Sequence, residues 1–186
     1  DTPGHEVFSN LRVRGGSVSD ISILVIDMME GVEKQTEECI DILRNRKTPF
    51  IVAANKLDKV DGWKSHPDKP FLESFKSQSP LAQRKFEDKL YKIVGGLSRF
   101  GFSSDRFDHI NDFTKSVAIV PTSATTGEGI PELLALTCGL VQQYMMKRLA
   151  VTDGPGKGVI LESKEEQGLG TTIDVILYDG IINKSD

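Results

Sequence analysis

Short apolar segments alternate with longer amphipathic segments in this chain, and the alternation constrains the fold more than any other feature. Residues 20–27 and 50–54 are rich in Ile, Val and Ala and have the length of buried strands. Between them, residues 33–46 carry apolar side chains at helical spacing. Because a strand, a helix and a second strand in this order form a crossover unit, the segment predicts parallel strands with a helix packed on the sheet.

The remaining elements extend the same α/β pattern. A third strand is predicted at residues 117–120, and further helices are predicted at residues 6–14, 81–100 and 130–149. Gly95 and Gly96 are expected to end the second of these helices early. Prolines within residues 60–80 predict a loop, and residues 101–115 predict a polar stretch with a short helix.

The pattern changes at residues 152–157, whose glycines and proline predict a linker. Residues 158–165 and 171–178 then alternate apolar and polar side chains around a Gly-Leu-Gly turn, which predicts antiparallel strands. We expect residues 1–151 to belong to a first domain, and residues 158–186 to be the first strands of a truncated β-barrel domain.

Composition narrows the classes of function. The chain carries 23 basic and 27 acidic residues, a net charge of −4, which gives no bulk attraction to nucleic acid. No apolar run approaches the roughly 20 residues that span a bilayer, so no membrane partner is expected. Cys39 and Cys138 lie far apart in helical segments, and we expect both to be reduced, buried thiols of a cytosolic protein.

A polar motif, Asn-Lys-Leu-Asp, directly follows the apolar segment at residues 50–54. Open α/β sheets bind ligands at the carboxyl ends of their strands, where this motif would lie. The Asp58 carboxylate can accept hydrogen bonds from the N1–H and the exocyclic amine of guanine, and adenine offers neither donor. Asn55 can bridge the base and a neighbouring loop, and the aliphatic stem of Lys56 can cover the base. Alone, the motif is equally consistent with a polar turn after a strand.

A second loop at the end of a predicted strand begins with Ser123, Ala124 and Thr125. The small side chain of Ala124 would let a backbone N–H approach guanine O6. On its own, the triplet is more typical of a helix N-cap. It gains weight beside Asn-Lys-Leu-Asp because both loops follow strands of one predicted sheet.

The sequence Asp-Thr-Pro-Gly-His opens the chain and supplies residues suited to a phosphate site. Asp1 has the oxygen ligands that Mg²⁺ prefers. Gly4 lacks a side chain, so its N–H can approach a γ-phosphate closely. His5 can orient a water for in-line attack on that phosphate. The alternative for His5 is a solvated loop histidine.

Together these motifs resemble the initiation factor 2 and initiation factor 5B family of translational GTPases. The resemblance is carried by Asp1 to Glu6, Phe8, Leu11-Arg12 and Arg14-Gly15, and then by the motifs at Asn55 and Ser123. Ser123 lies 65 positions after Asp58, a long step that is more similar to archaeal or eukaryotic initiation factor 5B than to the bacterial form. Residues 168–177 resemble the start of the family's second domain.

The resemblance implies a P-loop-GTPase-type parallel sheet with flanking helices in residues 1–151, followed by the start of a β-barrel domain. The implied cofactors are GTP or GDP and Mg²⁺. The implied site consists of His5 as the catalytic residue that positions the hydrolytic water, Asp1 as the metal ligand, and Asp1, Gly4, Asn55, Lys56, Asp58, Ser123 and Ala124 as the nucleotide-binding residues.

The resemblance also implies a function. The chain would be part of a cytoplasmic, GTP-hydrolysing translation initiation factor that promotes ribosomal subunit joining and initiator tRNA placement. The implied partners are the GTPase centre of the large ribosomal subunit and, through domains outside this chain, initiator tRNA. Two alternatives stay open at this point: another translational GTPase, and a ribosome-interaction module that does not hydrolyse GTP.

The chain departs from the family's pattern at the phosphate end. Its 186 residues contain no phosphate-loop motif G-x-x-x-x-G-K-S/T, and the threonine-bearing first switch is missing as well. In the family both precede Asp-Thr-Pro-Gly-His. We therefore expect the chain to start inside a domain and to lack GTPase activity by itself. A phosphate loop upstream of Asp1 would favour the enzyme, and its absence would favour the interaction module.

Overall fold

The computed structural model describes residues 9, 12–13, 15, 19–145 and 154–183. The chain divides into two compact units, Asp1–Leu140 and Val141–Asp186. The strands of the parallel sheet are β1 (Ser22–Asp27), β2 (Phe50–Asn55), β3 (Ser104–Arg106) and β4 (Val117–Pro121). The helices are α1 (Lys34–Arg46), α2 (Phe71–Ser77), α3 (Pro80–Arg99) and α4 (Ile130–Met145).

Strand β2 lies inside the sheet, whose strand order is β1-β2-β4-β3. It pairs in parallel with β1 on one side and with β4 on the other. Helices cover both faces, which explains why β2 is apolar at almost every position. Val52 and Ala54 belong to the core that the sheet forms with α1 and α3. Ile51 and Ala53 belong to a second core on the opposite face, formed with α4. The predicted α/β architecture is confirmed.

The loop predicted over residues 60–80 is wrong in part, because α2 lies within it. Pro70 precedes the helix with φ −55°, a position that proline tolerates. Phe71 is fully buried and stacks on Trp63, with ring centroids 6.1 Å apart. Phe75, one turn later, lies 6.5 Å from the same indole. A short helix is stable here because its aromatic face is packed. The prolines in the sequence predict a loop and give no indication of this packing.

The short helix predicted within residues 101–115 is replaced by β3 and a 3-10 turn at Phe107–His109. Strand β3 adds a parallel edge to β4. Its last residue, Arg106, is buried, and its guanidinium lies 4.6 Å from the centroid of the Phe75 ring. Two hydrogen bonds to Asp108, at 2.6 and 2.9 Å, satisfy the same guanidinium. This polar segment is therefore held in the fold by an arginine that is hydrogen-bonded and stacked on an aromatic ring, and not by apolar side chains at regular spacing.

In the second unit, β5 (Lys157–Glu166) pairs antiparallel with β6 (Gly170–Asp179), so both predicted strands are confirmed. Gly168 has φ 90° in the connecting turn, a left-handed conformation that favours glycine. The domain limits at residues 151 and 157 and the continuation into a barrel stay predictions.

Both cysteines are free thiols, but their burial differs from the expectation. Cys39 is half-buried, and Cys138 is exposed, so the expected burial of Cys138 is wrong. Within the described ranges, no helix has the length and apolarity needed to cross a membrane. The same ranges contain no group of three or more His, Cys, Asp or Glu side chains arranged to hold a metal ion.

Helix α3 continues through Gly95 and Gly96, contrary to the expected early end, and the two glycines differ in their surroundings. A Cβ at Gly96 would lie 2.5 Å from Val32 Cγ2 and 2.9 Å from Val32 Cβ, whereas a Cβ at Gly95 would meet open space. Gly96→Ala should therefore lower the free energy of unfolding by about 1–3 kcal/mol. Gly95→Ala should raise it by about 0.5–1 kcal/mol. Urea denaturation measures the free energy of unfolding of both variants. Changes of the same sign in the two variants would contradict this packing.

Candidate functional site

The carboxyl ends of β1, β2 and β4 meet at one edge of the sheet. The register pairs Asp27 with Asn55 and Ala54 with Pro121. The loops that follow β2 and β4 are therefore neighbours, in the position where open α/β sheets bind ligands. The structure thus brings together the two polar motifs that are far apart in the sequence.

Backbone hydrogen bonds hold these two loops against each other. Leu57 N donates to Thr122 O at 3.0 Å, and Thr122 N donates to Ala54 O at 2.8 Å. Leu57 is fully buried and begins a 3-10 turn, and Lys56 before it has φ 70°. This left-handed turn is uncommon for a residue with a side chain, and the buried leucine anchors it. Polar side chains then flank the anchor on both sides.

Asp58 is fixed by Ser123, its partner across the two loops. Ser123 Oγ donates to Asp58 Oδ1 at 2.6 Å, and Ser123 is fully buried. The side chain of Asp58 is 11% exposed, so it lies at the floor of the site rather than in free solvent. A carboxylate has roughly four acceptor positions, and the serine occupies one. Asp58 therefore keeps capacity to accept hydrogen bonds from a ligand.

Asn55 bridges the loops in the way its position predicts. Ala124 N donates to Asn55 Oδ1 at 2.9 Å. The N–H of Ala124 is thus engaged by Asn55 in this structure. The role of Ala124 toward a nucleotide stays a prediction.

Asp27 is a residue of this site that the sequence reasoning missed. It ends β1, and its Oδ2 lies 2.5 Å from Lys56 Nζ, while its Oδ1 accepts from Met29 N at 2.8 Å. Burial opposes ionisation of Asp27, but the hydrogen bonds from Lys56 and from backbone N–H groups outweigh burial and lower its pKa. The ion pair holds Lys56, whose stem was predicted to cover a base. The sequence feature that could have identified Asp27 is its position at the end of a predicted strand, on the edge of the sheet where ligands are expected to bind.

The predicted phosphate residues Asp1, Gly4 and His5 lie outside the described residues. Helical residues are described at positions 9, 12, 13 and 15, in agreement with the helix predicted after the motif. Arg12 Nη2 donates to Glu38 Oε2 at 2.6 Å, and the Ser9 hydroxyl donates to Oε1 of the same carboxylate. These hydrogen bonds, that of Ser9 foremost, lower the pKa of Glu38. They tie the segment after the motif to α1.

Comparison with known proteins agrees with this geometry. Residues 1–143 match the family model described as the elongation factor Tu GTP binding domain. The chain belongs to this family of GTP-binding domains. Its α/β sheet is thus that of a GTP-binding domain.

Two relatives with assigned names make the family assignment more specific. The chain is 60% identical to a probable translation initiation factor IF-2 of Methanopyrus kandleri and 62% identical to that of Sulfurisphaera tokodaii, over its whole length. It spans 31% of the length of each of these relatives. The predicted membership of the initiation factor 2 and 5B family is confirmed.

Solved structures give the same result. GDP-bound aIF5B from Aeropyrum pernix is 53% identical, with a TM-score of 0.85 over 97% of this chain and 30% of that one. Translation elongation factor SelB from Methanococcus maripaludis is 22% identical with a TM-score of 0.62, over all of this chain and 33% of that one, which shows a shared fold alone.

The Asp27–Lys56 pair makes a prediction about stability and pH. Asp27→Asn keeps the shape of the side chain and removes its charge. Because the pKa of Asp27 is lowered in the folded protein, the carboxylate stabilises the fold above its unfolded-state pKa of about 3.9. That contribution is lost as the pH falls through the lower folded-state pKa. The wild-type chain should be the more stable at pH 7, and urea denaturation should show the difference shrinking below about pH 4. A difference that grows on acidification would contradict the pairing.

Proposed function

We propose that this chain supplies the guanine-reading part of a GTP-hydrolysing translation initiation factor. The observation that carries the proposal is the pairing of Asp58 with buried Ser123 at the carboxyl edge of the sheet. That pairing presents a fixed carboxylate beside the loop bridge between Asn55 and Ala124. Membership of the GTP-binding family and the GDP-bound state of the solved aIF5B relative support it.

Base recognition follows from matching the acceptors of Asp58 with the hydrogen-bond donors of guanine. In this proposal the Asp58 carboxylate accepts from guanine N1–H and from the exocyclic amine. Ser123 keeps the carboxylate oriented, so little reorganisation is needed when the base arrives. Lys56, held by Asp27, lays its aliphatic stem along the base. Adenine offers neither donor, so the acceptor positions of Asp58 beyond its bond from Ser123 would lose their partners in the base. Leaving such positions unsatisfied disfavours adenine by roughly 1–3 kcal/mol.

The phosphate end of the reaction rests on the resemblance. In this proposal His5 would orient the water that attacks the γ-phosphate, and Gly4 would donate its N–H to that phosphate. Asp1 would hold Mg²⁺, which would supply positive charge to the phosphates. Hydrolysis would be stimulated at the GTPase centre of the large ribosomal subunit. Subunit joining, initiator tRNA placement and a cytoplasmic location are proposed because relatives at 60% identity are named translation initiation factors.

The isolated chain provides the first test. Its 186 residues contain no G-x-x-x-x-G-K-S/T motif, so it offers contacts to the base and few to the phosphates. Titration of fluorescent mant-GDP should show no binding in the micromolar range, and GTP hydrolysis should not exceed the uncatalysed rate. The full-length protein is the positive control. Micromolar or tighter binding by the isolated chain would contradict this division of roles.

Substitution of Asp58 in the full-length protein tests base reading. Asp58→Asn removes an acceptor and introduces an amide donor, which suits the C2 carbonyl of xanthine better than the C2 amine of guanine. The affinity for GDP should fall by about 10- to 100-fold, and the affinity for xanthosine diphosphate should rise.

Asp61→Asn is the matched control for this experiment, because Asp61 is exposed and pairs with Lys85 outside the site. It should leave both affinities unchanged. Equal loss of the two affinities in Asp58→Asn would show that Asp58 supports the fold and does not read the base.

A further inference from the structure

Glu128 is a fully buried acidic residue in the loop that carries Ser123 and Ala124. Its carboxylate accepts three hydrogen bonds from other side chains. Oε1 accepts from Ser74 Oγ at 2.7 Å and from Trp63 Nε1 at 3.3 Å, and Oε2 accepts from Thr126 Oγ1 at 2.8 Å. A buried carboxylate is costly unless its lone pairs are satisfied, so this site requires all of these donors together.

Hydrogen bonds made by Thr126 and Ser123 link this carboxylate to Asp58. Thr126, whose hydroxyl donates to Glu128, donates its backbone N–H to Ser123 Oγ at 3.2 Å. Ser123 Oγ in turn donates to Asp58 Oδ1. The main chain closes a second connection, because Ser123 N donates to Glu128 O at 2.9 Å. The side chain of Glu128 therefore fixes the serine that orients the proposed base-reading carboxylate.

Two glycines that could not easily be replaced flank Glu128 in the loop. Gly129 has φ 75°, and a Cβ there would lie 1.9 Å from Pro121 O. Gly127 has φ 77°, and a Cβ there would lie 2.4 Å from an Asp68 carboxylate oxygen. Two glycines in left-handed conformations thus turn the loop so that the side chain between them points inward.

Two of the three partners of Glu128, Trp63 and Ser74, belong to residues 61–78, a packed segment within the loop that the prolines predict over residues 60–80. Gln78 locks this segment: its Oε1 accepts from Lys64 N, and its Nε2 donates to Lys64 O, each at 2.8 Å. Trp63 is buried among Phe71, Phe75 and Phe86, with ring centroids between 5.8 and 6.5 Å away. Ser74 lies on α2. The carboxylate is therefore anchored to a packed aromatic cluster.

We propose that Glu128 is a positioning residue for guanine selectivity, which acts by bracing the Ser123 loop, and through it Asp58, against residues 61–78. The inference rests on the proposed function, since Asp58 must read the base for its orientation to matter. Because Glu128 is fully buried, it acts in this proposal through Ser123 and not by contact with the nucleotide. Its removal should loosen Asp58 and so weaken the contact to the exocyclic amine of guanine more than contacts to the rest of the nucleotide.

Inosine diphosphate provides the readout, because it keeps the N1–H of guanine and lacks the exocyclic amine. In the full-length protein, the ratio of the inosine diphosphate and GDP dissociation constants measures how well Asp58 reads that amine. Glu128→Ala should lower this ratio on the order of threefold to tenfold, the effect expected when a charge-assisted hydrogen bond is weakened rather than deleted. A role limited to folding would change both constants by the same factor and leave the ratio unchanged.

Glu128→Gln is the rescue variant. Its amide oxygen can accept from Ser74 and Trp63, and its amino group can donate to the Thr126 hydroxyl. The ratio should return to within about twofold of the wild-type value, because the geometry of the loop is kept.

Glu132→Ala is the matched control. Glu132 also holds α2, since its Oε1 accepts from Leu72 N at 3.3 Å, but it makes none of the bonds that reach Ser123. This variant should leave the ratio unchanged.

Urea denaturation of each full-length variant checks that it is folded, because a folded variant unfolds in a cooperative transition. If Glu128→Ala does not fold, Thr126→Val and Ser74→Ala each remove one donor and should lower the ratio in the same direction by a smaller factor.

The outcomes separate the two levels of the argument. A wild-type ratio above one that stays unchanged in folded Glu128 and Thr126 variants would overturn the bracing role and leave base reading by Asp58 intact. A wild-type ratio of one would contradict the proposed contact between Asp58 and the exocyclic amine, and the inference would fail with it.

Discussion

Parallel pairing of β2 with β1 and β4 is the constraint on which the first unit of the structure depends. Its register sets Asp27 beside Asn55 and brings the loop after β4 to the same edge. This juxtaposition follows from backbone hydrogen bonds and from the fact that parallel strands end on the same side. Because helices bury both faces of β2, its ladder is protected from water, and the polar residues collect where it ends.

Fixed charges dominate that edge. Asp58 is oriented by Ser123, and Lys56 is held by Asp27. In each pair, hydrogen-bonding positions remain available to a ligand, so a ligand can bind at this edge without first breaking buried hydrogen bonds. The energetic advantage is preorganisation: hydrogen-bond groups that are already aimed at a base need little reorientation when it binds. The buried carboxylate of Glu128 contributes to the same preorganisation, since it holds the loop that holds Asp58.

The sequence predicts much of this fold and part of the site, for reasons that particular residues make plain. The apolar segments that became β2 and β4 are distinctive because both faces of the sheet are covered there, and the motif at Asn55 follows β2 directly. Strand β1 is equally apolar in sequence, but Ile23 and Val25 on one of its faces are exposed. Helix α2 and strand β3 escape prediction because packing of aromatic rings and the buried Arg106, rather than periodicity, stabilises them. Asp27 and Glu128 escape for a related reason: their partners are distant in sequence, and no local pattern reports a contact between residues 128 and 63.

A structure of the full-length protein bound to GDP tests the central claim most directly. The account predicts that both Asp58 carboxylate oxygens lie about 3 Å from guanine N1 and N2 and that the hydrogen bond from Ser123 is kept. Residues 55–58 and 123–126 should move by no more than about 1 Å from their positions here, as expected for a preorganised site. Guanine bound away from Asp58, or loops rebuilt by more than about 2 Å, would contradict it.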